Sequence, residues 1–198
     1  MISAVLLAAG ASGRMGRPKQ EIILGSQPVL TRVVSIYTRS RVNEVVVVVQ
    51  PRHRHLVPPS RKVKVVLNSN QSRGMSWSLR LGLNETTGDA AIIGLGDQPL
   101  VRVETIDTLI SAYMKGGAKI VVPTCNGERG NPVLFDRALF GQILHLTGDR
   151  GAKSVVLKNE FQVKEVEVGD RGILLDMDTP EDLLLVRREL LSRKREAW

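Results

Sequence analysis

Five consecutive valines, Val45 to Val49, constrain this chain more than any other stretch. Branched at every Cβ and apolar on both sides of its pleat, such a run belongs inside a sheet that is covered on both faces. Ile2 to Ala8 and Ala90 to Leu95 are short apolar runs of the same kind. Between them the period changes. Pro28 to Thr38 places Val29, Leu30, Val33, Val34 and Tyr37 on one helical face, and Ser76 to Leu83 and Thr105 to Met114 are further predicted helices. A basic, proline-containing connection, Pro51 to Arg61, leads to a strand at Val63 to Leu67. Later come a strand at Lys119 to Val122 ended by Pro123, an extended "GNPVLF", helical segments at Ala138 to Leu146 and Ala152 to Asn159, a strand at Gln162 to Val168 and a helix from Pro180. Strands that alternate with helices predict an α/β fold, a Rossmann-like, mostly parallel sheet with helices on both faces. With 198 residues the chain suits one compact domain, 1–198.

The loop after the first strand reads "LAAGASGRMGRPK". In an open parallel sheet ligands bind at the carboxyl ends of the strands, so this loop lies where a ligand is expected. Gly10, Gly13 and Gly16 permit close backbone approach to a phosphate chain, and Arg14, Arg17 and Lys19 supply charge. The spacing excludes two familiar cradles. A Walker A loop needs lysine directly after its last glycine and then Ser or Thr, whereas Lys19 follows Gly16 by three residues, behind Pro18. The dinucleotide fingerprint needs G-x-G-x-x-G, and here the spacing is G-x-x-G-x-x-G. The other reading of the stretch is a glycine-rich turn with solvated cations.

Two acidic sites follow. The strand Ala90 to Leu95 runs into "GDQPL", which makes Asp97 a candidate metal ligand at the ligand edge of the sheet, or else a turn aspartate beside Pro99. In "LLDMDTPEDLLLV", Asp176 and Asp178 are two apart and face one side of an extended segment, as a divalent cation requires. Thr179 is the expected N-cap of the last helix, with Glu181 and Asp182 stabilising its first turn. Together the loop and the separated carboxylates suggest Mg²⁺-dependent phosphoryl chemistry on a nucleotide by direct in-line transfer.

Lysine and arginine exceed aspartate and glutamate by 28 − 20 = 8, a field that attracts anions. The excess clusters in Arg52 to Lys64 and in the tail Arg187, Arg188, Arg193, Lys194 and Arg195, with little aromatic interleaving, so a solvated basic surface is expected rather than a nucleic-acid groove. One cysteine, Cys125, rules out an internal disulfide, and three histidines make a Cys/His zinc site improbable. No apolar stretch of about 18 residues occurs, and the N-terminus lacks the basic region of a secretion signal, so a cytoplasmic protein without membrane contact is expected.

The sequence resembles the nucleotidyltransferases of molybdenum cofactor biosynthesis, most closely the molybdenum cofactor cytidylyltransferases, through "LLAAGASGRMGRPK", "GMSWSL", "GDQPLV", "GNPVLF", "LTGDRGAK" and "DMDTPEDL" in order. The resemblance implies a fold of the nucleotide-diphospho-sugar transferase type, and CMP transfer from CTP to the cofactor's terminal phosphate with release of pyrophosphate. It implies that Leu7, Ala8, Ala9, Gly10 and Gly13 lie against the nucleotide, and that Arg14 and Lys19 neutralise its triphosphate. The loop Asn68 to Gly74, which includes Asn70, and Ser78 just after it would lie beside base and ribose. Asp97 would bind Mg²⁺, with Asp176 or Asp178 completing the site; Arg14, Lys19 and Asp97 are the implied catalytic residues. Guanylyltransferase relatives read "LAGG", and the methyl of Ala9 favours a pyrimidine. Asn131 stands where members often carry histidine, and "QEIIL" where they read "LLLPL". "LTGDRGAK" is read as a helix start with Asp149 as N-cap, or as a hold for the pterin phosphate through Arg150 and Lys153. The implied partners are CTP, the molybdenum cofactor and, transiently, a molybdoenzyme or its chaperone. Open beside this are guanylyl transfer, another phosphorylated acceptor, and a non-catalytic cofactor- or nucleic-acid-binding protein.

Overall fold

A computed structural model describes residues 1–10 and 13–196, with side chains through Arg193. Ala11, Ser12 and the Lys194 and Arg195 side chains of the basic tail lie outside the described residues. In chain order the elements are β1 (Ile2–Ala8), β2 (Ile23–Leu24), β3 (Gln27–Pro28), α1 (Val29–Arg39), β4 (Glu44–Val49), β5 (Val63–Leu67), α2 (Met75–Leu83), β6 (Ala90–Leu95), α3 (Val103–Met114), β7 (Ile120–Cys125), β8 (Glu128–Arg129), β9 (Val133–Asp136), α4 (Phe140–Leu144), α5 (Lys153–Lys158), β10 (Val163–Glu167) and α6 (Pro180–Glu196). One sheet runs β5-β4-β1-β6-β9-β7-β10, with β8 paired to β7, while β2 and β3 form a separate small ribbon.

The valine run does what its branching demands. Val45, Val47 and Val49 join Ala4, Leu6 and Ala8 of β1 under α1, α3 and α6. Val46 and Val48 join Val5, Ala91 and Ile93 under α2, α4 and α5. All five valines are fully buried, each contributing roughly 2 kcal/mol. The β5-β4-β1-β6 half is parallel throughout, with Ala8 opposite Val49 and Leu7 opposite Leu95. β1 therefore sits between β4 and β6, and the loop that leaves it opens at the carboxyl edge where neighbouring connections diverge.

The other half departs from simple alternation. β9, the "VLFD" segment, lies antiparallel between β6 and β7. β7 does not end at Pro123; it continues to Cys125 and turns back into β8 through Asn126 and Gly127, at φ 53° and 79°. That is the Asn-Gly pair a two-residue hairpin requires. Asp149 does not cap a helix: α5 begins at Lys153, with Ala152 at its N-cap. Thr179 does cap α6. Its hydroxyl accepts from the Asp182 amide (3.2 Å), and Asp182 accepts from the Thr179 amide (2.8 Å), a reciprocal box that assigns Asp182 to stability.

Candidate active site

Beyond β1, Gly16 takes a positive φ of 70°. Among the described residues, Gly10 and Gly13 have nothing within 4 Å of an added Cβ, so packing against these residues does not demand glycine there. Pro18 is extended (φ −60°, ψ 110°) and delivers Lys19 into a single 3₁₀ turn, Lys19–Glu21. The Lys19 side chain is thereby turned inward and buried.

Its ammonium joins the two acidic segments. Lys19 Nζ donates to Asp97 Oδ2 and to Asp178 Oδ1, the latter at 2.9 Å. Arg14, mostly exposed, donates to the other Asp178 oxygen at 2.7 Å. The Met177 amide donates to the Asp97 carbonyl (3.0 Å), which fixes the Asp176–Asp178 segment beside the end of β6. Gln98 Nε2 reaches Asp176 Oδ1 at 2.6 Å. Asp97 Oδ1 is buried and has no hydrogen-bond partner among the described residues.

The charges respond to this crowding. Burial works against the Lys19 ammonium, but Asp97 and Asp178 outweigh it and raise its pKa. Burial likewise works against ionised Asp178, and there Lys19 and Arg14 win, holding it below the usual carboxylate range. Asp176 makes no ion pair among the described residues, and Lys19 is the cation that acts on it. Although the residue reaches solvent, the protein around its carboxyl, followed by the charge of Asp97, pushes it up to about 6.

These groups close one end of a cavity of about 610 Å³. Of the sequence-predicted residues, Leu7, Ala9, Gly10, Arg14, Lys19, Asn68, Gly74, Ser78, Asp97, Asp176 and Asp178 line it. Across from Lys19, Asn68 is buried after β5, donates to Ser78 Oγ (2.9 Å) and accepts from the Asn70 amide (2.9 Å). Gly74, at φ 78°, lies so close to the Gly148 carbonyl that a Cβ would stand 2.4 Å from its carbon. Both the amide and hydroxyl of Ser76 donate to that carbonyl oxygen, at 3.1 and 2.7 Å. This contact carries Asp149 to the cavity wall.

Residues 4–164, which hold the glycine loop, Lys19, Asn68, Ser78 and Asp97, match the MobA-like NTP transferase domain. The chain belongs to that family.

Among relatives of this MobA-like chain, the purine catabolism protein PucB of Bacillus subtilis is 30% identical over 94% of this chain and 96% of its own. The molybdenum cofactor cytidylyltransferase of Escherichia coli is 21% identical over 94% and 95%. The crystal structure of Rv0371c from Mycobacterium tuberculosis in complex with manganese superposes with a TM-score of 0.76 at 25% identity, covering 94% of this chain and 97% of that one. Family membership makes the protein a nucleotidyltransferase. Asp176 and Asp178 lie beyond the matched segment, so the geometry at Lys19 is what joins them to it.

Ala8, Gly13 and Asn70 do not line the cavity of the MobA-like site. Ala8 points into the core under α1, because alternate strand residues face opposite ways, whereas Leu7 and Ala9 share the other face. Asn70 is exposed and meets Asn68 through its backbone. Gln71 and Ser72, within the expected loop Asn68 to Gly74, also line the wall, as do Gln20, Met75, Leu95, Gly96 and Asp149, which the motifs do not place there. Leu95 and Gly96 were findable, since they directly precede Asp97. The carboxylates do not gather into a cluster: among the described residues no three His, Cys, Asp or Glu converge on one point. A second cavity of about 430 Å³ shares Leu7, Met75 and Leu95 with the first. Its floor is apolar, with Ile93, Val122 and Phe135, and Arg129, Asn131 and Lys153 also line it.

Proposed function

We propose that the protein transfers a cytidylyl group from CTP to the terminal phosphate of the molybdopterin-bound molybdenum cofactor, with Mg²⁺, releasing pyrophosphate. The observation that carries this reading is the Lys19 ammonium held between Asp97 and Asp178 at the end of a cavity walled by Ala9 and Gly10. An acceptor phosphate oxygen attacks the α-phosphorus, the bond to the bridging oxygen of the β-phosphate breaks, and pyrophosphate leaves. Two anions must meet for this to happen. Lys19 and Arg14 screen them and hold the triphosphate in line. The Ala9 methyl narrows the space beside the base, which supports a pyrimidine, and the Asn68–Ser78 pair offers a fixed hydroxyl on the opposite wall.

The donor set fits a hard divalent ion. Asp97 has a buried oxygen without a partner, and the nearby donors at Asp176 and Asp178 are also carboxylates. When bound there, Mg²⁺ supplies Lewis-acid polarisation of the phosphate oxygens; the manganese complex of the mycobacterial relative supports such a site. The neighbouring apolar cavity is the proposed berth for the flat body of the acceptor, with Lys153 at its phosphate. No helix among the described residues is long and apolar enough to cross a membrane, and we place the enzyme in the cytoplasm, passing its product to a molybdoenzyme or its chaperone.

The test is pyrophosphate release with the cofactor acceptor and each of CTP, GTP, ATP and UTP in Mg²⁺. CTP is expected to dominate. Preference for GTP would replace the base assignment, and no release with any nucleotide would overturn the acceptor.

A further inference from the structure

Four successive carbonyls at the start of the glycine loop are each tied down, two of them by a side chain that the cavity does not contain. Leu7 O accepts from the Gly96 amide (2.9 Å), as a ladder continuing from β6 would provide. Ala8 O accepts from Gln20 Nε2 at 3.1 Å. Ala9 O and Gly10 O both accept from Gln50 Nε2, at 3.0 and 3.3 Å. Gln50 is almost wholly buried, directly follows β4 and is absent from the cavity wall that Ala9 and Gly10 form.

The reason for this arrangement lies in the next residue. β1 and β4 pair in parallel up to Ala8 opposite Val49, so Gly10 falls level with Pro51. Proline has no N–H, and here it starts a 3₁₀ turn, Pro51–Leu56, that takes the backbone out of the sheet. The ladder on the β4 side ends there. Gln50 remains extended (φ −67°, ψ 148°), and its side-chain amide donates in place of the missing backbone donor. A trans peptide is planar, with its N–H opposed to its C=O. Fixing Ala9 O toward Gln50 therefore turns the Gly10 N–H away from Gln50, and fixing Ala8 O with Gln20 likewise sets the Ala9 N–H.

We infer that Gln50 is a positioning residue: from behind the loop it prolongs β1 by two residues past the end of β4, so that Ala9 and Gly10 meet the nucleotide already ordered. This rests on the nucleotidyl-transfer reading. It acts on the loop before any ligand arrives, and its effect falls on nucleotide binding rather than on the acceptor.

The variants are Gln50→Met, which keeps length and loses both donors, and Gln50→Glu, which keeps shape and places a carboxylate against two carbonyls. In the full-length protein without ligand, amide hydrogen exchange over the loop 7–15 is expected to speed up about tenfold in both, as for the loss of one or two buried hydrogen bonds. The KM for CTP is expected to rise about tenfold, with kcat and the acceptor KM within about twofold of the parent. Unchanged exchange overturns the inference. So does faster exchange with an unaltered KM for CTP, or a loss confined to kcat, either of which reduces Gln50 to a structural contact. Absence of turnover with every nucleotide in the unsubstituted protein would instead overturn the function it rests on, and unchanged exchange would still decide against Gln50.

Discussion

Two cavities open at the carboxyl edge of the same sheet, share Leu7, Met75 and Leu95, and differ in almost everything else. One ends in four interlocked charged groups, Arg14, Lys19, Asp97 and Asp178. The other is floored by aliphatic side chains and Phe135. The first has the means to stabilise charge that develops during a reaction. The second has the means to select a shape, and little with which to do chemistry. The division follows the sheet: the charged cavity sits over the all-parallel half, and the apolar one over the half into which β9 is inserted.

The contrast breaks first at Asp97. Asp97→Asn keeps the shape but halves the charge that faces Lys19, and turnover is expected to fall by at least about 10³-fold. Lys19 keeps Asp178 as partner, so the melting temperature should move by only a few degrees; a collapse of the fold would show that Asp97 acts structurally. Leu157→Trp probes the other side. This exposed side chain lines the apolar cavity only. Filling that space should raise the acceptor KM about tenfold and leave the KM for CTP unchanged, and an equal rise in both would merge the two cavities into one site.

The smallest effect is expected from Asp176, and its sign follows from linkage. Its carboxyl is pushed from 3.8 up to about 6 in the folded protein, so folding takes up a proton between those values. Stability contributed by the protonated form is lost as pH rises through that window, and the penalty is complete above it. Asp176→Asn removes the penalty and keeps an acceptor for Gln98. The melting temperature should rise by about 1–2 °C at pH 7.5, a small gain because the residue reaches solvent, and the difference should vanish near pH 4. A variant less stable at pH 7.5 would show that the ionised carboxylate is a net support.

Much of this layout was legible beforehand because it is written in short periods. The valine run, the apolar β1 and β6, and the helical spacing of α1 and α3 are each decided within about ten residues. The direction of β9 was not, since an extended segment carries no mark of the strands it will join 40 residues away. Asn126-Gly127 does carry such a mark, and Pro123, though a strand breaker by type, sits within β7 rather than at its end. Strand alternation sends the Ala8 side chain to the opposite face from Ala9, so the methyl that meets the cavity is that of Ala9. The bridge from Lys19 to Asp97 and Asp178 spans 78 and 159 positions, and no local pattern announces it. The spacing of "LTGDRGAK" resembles a helix start, yet α5 begins at Lys153, and the contact of Gly74 with Gly148 brings Asp149 to the cavity wall.

The inserted strand also orders events in time. β5, β4, β1 and β6 need only residues 2–95 to assemble. β7 has no edge in common with them and reaches β6 only through β9, which is made later. A chain emerging from the ribosome can therefore pair these four strands early, while β7 waits until residue 136 has been synthesised and the charged site waits longer still, for Asp178. The longest reach in the sheet nevertheless lies within the early half, where Ile2 stands opposite Ala90, so β9 fixes the order in which the second half is added and is not the most distant pairing.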